Sequence, residues 1–535
     1  MKSVFVAILS IPLIYLALEL PKYLNIPKTS ELPSLVNLPA QLESKHIQVH
    51  HSQDKLFIWW IENSTLKFSR LDDGIWQQPV AIPSSSGLQI NWLDQPHFTY
   101  FAGSYYGVFL SGKAKQRRFQ FVTSRDGQEW HELGWKTNHS THGELGFAKL
   151  ASHKGELIVL WLEGGENQTQ LVASNLKDQK KIVLDRRVCD CCPLGIYTEN
   201  DGNLIIAYRD RGKDENRTIT VAALGSNYEL ERFPIEQPKW ITESCPMNGP
   251  ALSRVGKHLG LAWYTEVNGS PSILLAWKKD GGPFETYGPI ETLDSQRGRL
   301  GLAPLNDEFG LLTWVGPNEM GKGRIWSKPI SVAGQEGPLF ELAAINLSHK
   351  SGIPQLVSFK DELYLAWTSL GRKMVMMRRF VPGFFKYNPD VIAPPESPPS
   401  RLQYENLSFT DLDGKRRELG KGQQTLLVFW ASWCKPCLDE IPTLNEYVES
   451  RPKLNLLSIN LDDMTPEELQ STVAKLGIRY PVIADDKNEL QAYFNVQSLP
   501  TAIMLDQASH EMWRIVGKNE SALQRKMDRP QLGTF

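Results

Sequence analysis

Leu426-Leu427-Val428-Phe429-Trp430-Ala431-Ser432-Trp433-Cys434-Lys435-Pro436-Cys437 is the stretch on which the reading of this chain turns. Its apolar opening reads as a strand covered on both faces. The two cysteines that follow stand at the start of a helical pattern running from about 435 to 450. Cys434 then sits at the first helical turn, where backbone N–H groups lack intrahelical partners and the dipole favours a thiolate. Cys437 comes one turn later, within reach to resolve a mixed disulfide formed by Cys434. Pro436 suits that turn because its missing N–H is not needed there. The spacing also occurs as half of a zinc site, but no second Cys or His pair lies near it in sequence. The stretch reads as a dithiol–disulfide couple on a strand-to-helix turn.

Outward from this turn, residues 402–535 alternate strands and helices. Strands are expected at 425–430, 454–459, 501–505 and 511–516, and helices at 435–450, 465–476, 486–494 and 519–528. The alternation implies an α/β sheet. Several separated motifs accompany it: Phe409-Thr410-Asp411-Leu412-Asp413-Gly414, then Glu440-Ile441-Pro442 on the active helix, and Ser498-Leu499-Pro500-Thr501 far downstream.

On these motifs, residues 402–535 resemble the thioredoxin superfamily, and most closely its TlpA-like branch of periplasmic thiol–disulfide oxidoreductases. The resemblance implies a thioredoxin fold, with Pro442 kinking the active helix and Pro500 as a cis-proline facing the two sulfurs. It also implies thiol–disulfide exchange with protein disulfides, usually in the reducing direction, fed by a membrane thiol electron donor. Cys434 attacks and Cys437 resolves. Trp433 shields the disulfide, and the Leu499 backbone pairs with an extended substrate segment. No cofactor is required for this chemistry. One departure stands out. Thioredoxin carries a buried Asp six residues before its first Cys, and here that position is Val428. Glu440, three residues after Cys437 on the same helix face, is the candidate for the missing proton carrier. A solvated helix glutamate is the competing reading. Lys435 either favours the thiolate by its charge or is an ordinary surface side chain.

Upstream, residues 45–380 repeat a short apolar strand that mostly ends near an aromatic. The copies are 56–60, 105–109, 157–161, 204–208, 259–263, 309–313 and 363–367, with last residues roughly 47 to 55 positions apart. Strands and turns at that period are the signature of a β-propeller. Seven blades, or six with an extra hairpin, fit the count, and each apolar run is expected as an inner strand. Ser124-Arg125-Asp126-Gly127-Gln128-Glu129-Trp130 resembles the Asp-box of the sialidase and BNR-repeat families. Looser relatives occur at 72–76 and 279–284. These are turn devices and carry no catalysis. The resemblance leaves a glycan ligand open, but the arginine triad and nucleophile set of a sialidase cannot be assembled from Tyr208, Arg209 and Arg211. Arg209 and Asp210 read as an ion pair.

Four further cysteines lie in the propeller. They are Cys189, Cys191 and Cys192 in Val188-Cys189-Asp190-Cys191-Cys192-Pro193, and Cys245 in Ser244-Cys245-Pro246-Met247-Asn248-Gly249-Pro250. Both segments precede blade strands, so they fall at one end of adjacent blades. Three readings stay open: structural disulfides, a thiolate site for copper or zinc, and a redox cluster serviced by the C-terminal domain.

The remaining features set location and class. The chain has 535 residues, too many for one core. With 58 Lys+Arg against 60 Asp+Glu, nothing invites nucleic acid. Residues 1–22 carry a basic start and an apolar run without a small-x-small cleavage site. They read as a signal anchor, or else a cleaved signal peptide, with the rest in the periplasm. Residues 381–401 are Pro-rich and read as a stiff spacer. The expected molecule is multidomain: an all-β propeller of six or seven blades followed by an α/β thioredoxin fold. The competing function is a glycan- or protein-binding propeller whose redox domain is accessory.

Overall fold

A computed structural model describes residues 32–385, 407–516 and Leu523, apart from 85–86, 113–116, 135–143, 165–168, 243–245, 268–269, 291–297, 319–321, 420–422, 452–453, 463, 486–488, 495, 497–498 and 508. The export segment, the spacer from 386 on, Cys245 and the expected 519–528 helix, except Leu523, lie outside the described residues. No helix among those described is long and apolar enough to cross a membrane.

Seven antiparallel sheets follow one another along the first part of the chain, and in each, strands consecutive in sequence pair side by side. This is a seven-bladed propeller. The apolar runs form the second strand of each blade, for example Lys55–Glu62 and Leu204–Arg209, the latter buried at all positions. The expectation that these runs lie innermost is corrected here. The first strands, such as Ser44–Ser52 and Gly301–Pro304, pack against those of neighbouring blades around the axis. A second strand has partners on both edges and a neighbouring blade on each face, so it tolerates no polar side. A first strand faces the central channel and admits polar residues, as Gln48, His50 and His51 illustrate.

Aromatic side chains fill the wedge between blades. Trp59, Phe68, Phe98 and Trp130 form one such cluster, with Phe68 and Trp130 rings 4.9 Å apart. Trp130 is delivered there by the Ser124–Trp130 hairpin. The Ser124 hydroxyl accepts from the Gly127 N–H, and Asp126 accepts from the N–H groups of Gln128 and Glu129. Those two donors hold the Asp126 carboxyl down to about 2. Gly127 has φ +72°, and a Cβ there would meet Phe68 at 3.1 Å, so both backbone and space call for glycine.

The last blade has three strands of its own, ending in Met374–Phe380. Leu35 bridges to Arg378, and the Val36 N–H donates to the Met377 carbonyl at 2.9 Å. The start of the described chain thus lies along the outer edge of its last blade and latches the ring.

The second unit is a five-stranded sheet in the order Val482–Ala484, Asn455–Asn460, Thr425–Trp430, Thr501–Leu505, Glu511–Val516. The first three strands are parallel and the last two antiparallel to their neighbours. Thr425–Trp430 is central and buried throughout, which explains its unbroken apolar character. Helix α1 (Lys435–Ser450) follows it directly. Helix α2 (Pro466–Leu476) opens on a Thr465/Glu468 capping box and closes on Gly477 in the left-handed region. Helix α3 (Glu489–Tyr493) is short. Val482–Ala484 and the hairpin Ser408–Thr410/Arg416–Glu418 were not anticipated. The arrangement is a thioredoxin fold.

Candidate redox centre and the propeller thiols

The strand Thr425–Trp430 delivers the chain to a tight turn and then to α1, whose N-cap is Cys434. Cys434 and Cys437 are joined by a disulfide. The Cys437 N–H donates to Cys434 Sγ at 3.3 Å, so one orphan donor of the first turn is aimed at that sulfur. Pro436 lies in the same turn and Pro442 interrupts the helix further on. Both cysteines belong to the domain's apolar core, at 0% and 3% exposure, together with Trp430, Phe429 and Leu499. The Leu499–Pro500 peptide is cis, and both residues are buried.

Two residues with no signature in the sequence, Asp462 and Asn460, support this turn. Asp462 accepts from the Ser432 N–H at 2.8 Å and from Asn460 Nδ2 at 2.8 Å. A carboxylate that is 6% exposed thus fixes the peptide just before the active turn. The partners are thirty positions apart, and no local pattern announces the bond.

Glu440 lies one turn beyond Cys437 on the buried face of α1, at 5% exposure, rather than on the solvated face. Its charge acts on the Tyr480 hydroxyl, whose pKa burial and that charge both raise. Val428 is buried in the central strand. Lys435 reaches Asp439 at 3.8 Å with most of its side chain in solvent, so its charge is shared along the helix surface. Trp433 is 46% exposed, and its ring centroid is 6.5 Å from that of His349 on the propeller. His349 stacks on Trp92 at 4.2 Å, and the Arg299 guanidinium also lies over the Trp92 ring, 5.1 Å from its centroid. Gln491 of the redox domain joins Trp92, Met247, Asn248, Arg299 and His349 in lining a small pocket at this contact.

On the propeller, Cys189, Cys191 and Cys192 come together just before the strand Gly195–Thr198. Their sulfurs lie within 4.8 Å of one another, with Cys189 at 3.1 Å from Cys192 and 3.7 Å from Cys191. No disulfide joins them. Burial pushes the Cys189 and Cys192 thiols up, so neither ionises readily by itself. Cys245, the fourth propeller cysteine, is outside the described residues. Asn248 and Met247 are buried next to this turn's end, where Gly249 abuts Pro193 closely enough that a Cβ would stand 2.3 Å from its carbonyl oxygen.

The expected Arg209–Asp210 pair does not form. Arg209 donates to the carbonyls of Asn248, Arg217 and Tyr264 and packs over Trp240. Neighbouring residues of an extended chain point to opposite faces, so 209 and 210 never meet. Tyr208 donates to Asp185 at 2.7 Å instead of facing the axis as a nucleophile. Asp190 stands 3.9 Å from Arg211.

Similarity to known proteins falls on the redox domain. A family model described as thioredoxin-like matches residues 422–512. The thiol–disulfide oxidoreductase ResA of Bacillus thuringiensis (strain Al Hakam) is 34% identical over 116 residues, which is 21% of this chain and 67% of the relative. The sporulation thiol–disulfide oxidoreductase A of Bacillus subtilis is 29% identical over 91 residues, 16% of this chain and 55% of the relative. The crystal structure of StoA from Bacillus subtilis aligns at 22% identity, a TM-score of 0.22, 23% of this chain and 96% of that one. By its C-terminal domain, this chain belongs to the thioredoxin-like family of thiol–disulfide oxidoreductases that includes ResA.

Proposed function

We propose that the protein is a periplasmic thiol–disulfide reductase in which the propeller selects what the redox domain reduces. One observation carries this reading: the redox turn faces the propeller, with Trp433 beside His349 and Gln491 in the pocket formed with Trp92 and Arg299. A client disulfide entering there meets both domains at once.

The reduced centre starts the reaction. The Cys434 thiolate, favoured by the Cys437 N–H and the helix start, attacks one client sulfur and displaces the other as a thiolate. The Cys437 thiol then loses its proton, with Glu440 as acceptor, and attacks Cys434. The client leaves with two thiols, and the enzyme keeps the disulfide. Two electrons and two protons have passed. The main chain at Leu499 holds the client segment extended during the exchange. A membrane-bound thiol donor resets the couple, and residues 1–22 supply export and anchoring. The glycan-binding alternative gains nothing from the Ser124–Trp130 hairpin, whose Ser and Asp oxygens are spent on its own turn.

The test is trapping. C437A is expressed with its native leader, and proteins disulfide-linked to Cys434 are identified by mass spectrometry. Client adducts that disappear when His349 and Trp92 are both replaced by Ala support the reading. Absence of adducts, together with failure of the wild-type protein to reduce a model disulfide such as insulin, overturns it.

A further inference from the structure

Cys189 and Cys192 stand at the two ends of a turn whose tip is Asp190 and Cys191. The ends of a β-turn lie within about 7 Å of each other at Cα, and a disulfide spans about 4.4–6.8 Å. The backbone thus holds the two residues within reach of a bridge. Their side chains face each other: the sulfurs are 3.1 Å apart, and the Cys189 thiol donates to Cys192 Sγ. Two sulfurs that share one tetrahedral zinc through bonds of about 2.3 Å would stand about 3.8 Å apart. The observed separation falls on the disulfide side of that value. The same i, i+3 spacing closes into a disulfide at Cys434 and Cys437.

Both ends of the turn are fixed from outside it. At one end Val188 bridges to Asp210, and the Cys189 N–H donates to the Arg209 carbonyl at 2.9 Å. At the other end the Pro193 carbonyl lies so close to Gly249 that a Cβ there would meet it at 2.3 Å. The turn therefore packs on the segment that enters the next blade at Ala251. With both ends held, the two thiols are already oriented, and an internal bridge is favoured over a link to a foreign thiol. Burial sets the kinetics. Cys189 and Cys192 are 1% and 2% exposed, so exchange runs only as fast as the turn opens. Burial also pushes both thiols up, which leaves little thiolate to attack at neutral pH. The equilibrium, rather than the rate, is what reports on the pair.

We propose that Cys189 and Cys192 are a second dithiol–disulfide couple, built into the propeller and closed by exchange with a low-molecular-weight disulfide. Cys192, as thiolate, attacks one sulfur of that disulfide and displaces the other as a thiolate. Cys189 then loses its proton and attacks Cys192 Sγ, and the second small thiol leaves. The two propeller thiols become one disulfide while the small disulfide becomes two thiols, so two electrons and two protons pass. A small dithiol reverses the exchange. The couple is distinct from Cys434 and Cys437 and does not depend on the direction in which that centre runs.

The experiment uses the full chain with C434S and C437S, so that only the propeller thiols report. The folded protein is brought to equilibrium with oxidised glutathione at about pH 8, where thiolate is more abundant, then quenched with acid, unfolded and alkylated. Trypsin releases Cys189, Cys191 and Cys192 together in the peptide 188–209, and Cys245 separately in 240–254. The expected peptide 188–209 carries one alkyl group and is two hydrogens lighter, and dithiothreitol restores three alkyl groups. Adding C191S leaves the bridge in place, with thermal melts verifying that this variant folds. Should it not fold, fragmentation of the peptide from the parent chain places the bridge, because a closed 189–192 loop yields no backbone fragments from within it. Three alkyl groups on the equilibrated, folded protein overturn the proposal. So does a bridge that folded C191S lacks, or one that joins Cys191 or Cys245 to either residue. A bound equivalent of zinc or copper that must be stripped before the pair oxidises overturns it as well.

Discussion

Acidification from pH 7 to pH 5 should destabilise the propeller through histidines on the strand Ser44–Ser52. Burial holds His46 down to about 4 and His50 to about 3, against an ordinary value of 6.5, with Lys45 adding to the first effect and His51 and Lys149 to the second. Both groups bind a proton more readily when unfolded, so stability falls as pH drops below 6.5 towards the folded values. Over that interval each histidine loses up to about 1.8 kcal/mol, and the pair about 3.6 kcal/mol. Asp94 opposes them. Burial raises its carboxyl to about 6, so it takes up a proton first in the folded state. Its contribution over the same interval is a gain of about 1.3 kcal/mol, which leaves a net loss of about 2.3 kcal/mol. Lys149, held down to about 8 by burial, stays protonated throughout. His46 and His50 keep some contact with solvent, so the share of these two is an upper bound. His97, buried and held well below its ordinary value, adds in the same direction. Urea unfolding followed by tryptophan fluorescence measures the change. H50N should shrink the loss by about 1.8 kcal/mol. A wild-type loss below about 0.5 kcal/mol, or an H50N loss equal to wild type, refutes the reasoning.

Three further perturbations probe other parts of the molecule. E440Q keeps the shape of the buried side chain but cannot accept the Cys437 proton, and should slow resolution of the mixed disulfide about 100-fold or more; stopped-flow trapping of the mixed disulfide reads this, and an unchanged rate removes Glu440 from the mechanism. V36P removes the N–H that donates to Met377 and should lower propeller stability by about 1–3 kcal/mol; an unchanged urea midpoint would mean that the latch does not hold the ring. G249A drives a Cβ to 2.3 Å from the Pro193 carbonyl oxygen, against backbone that cannot rotate away, and should cost about 1–3 kcal/mol while altering thiol reactivity at Cys192; equal modification rates in both proteins would deny that coupling.

What the sequence makes legible here is local. The Thr425–Trp430 strand, the Lys435–Ser450 helix and the seven apolar runs declare themselves because each is a continuous pattern within one element. The three-residue strand Val482–Ala484 is too short to show a period, and its place at the sheet edge is set by Asn455–Asn460. The ring latch pairs Leu35 with Arg378, and no pattern near either residue signals the other. The second-strand position of the apolar runs is hidden for a related reason. Hydrophobicity reports how many faces are covered, and in a propeller the most covered strand is not the one nearest the axis.

The same division runs through the sites. Cys434 and Cys437 can be read from spacing because one helical turn contains the disulfide-bonded pair. Their support cannot, since Asp462 reaches Ser432 across thirty residues of chain. Glu440 shows the intermediate case: its helix face follows from its position, but its burial beside Tyr480 comes from another element. The propeller turn separates the two levels most sharply. Three cysteines in four residues announce soft donors, yet the sequence leaves disulfide, metal and redox readings open. Arg209 belongs to the second level, because it closes on the carbonyls of Asn248 and Tyr264 only once adjacent blades have packed. A cluster of cysteines is therefore announced locally, whereas the charges that surround it are a property of the assembled fold.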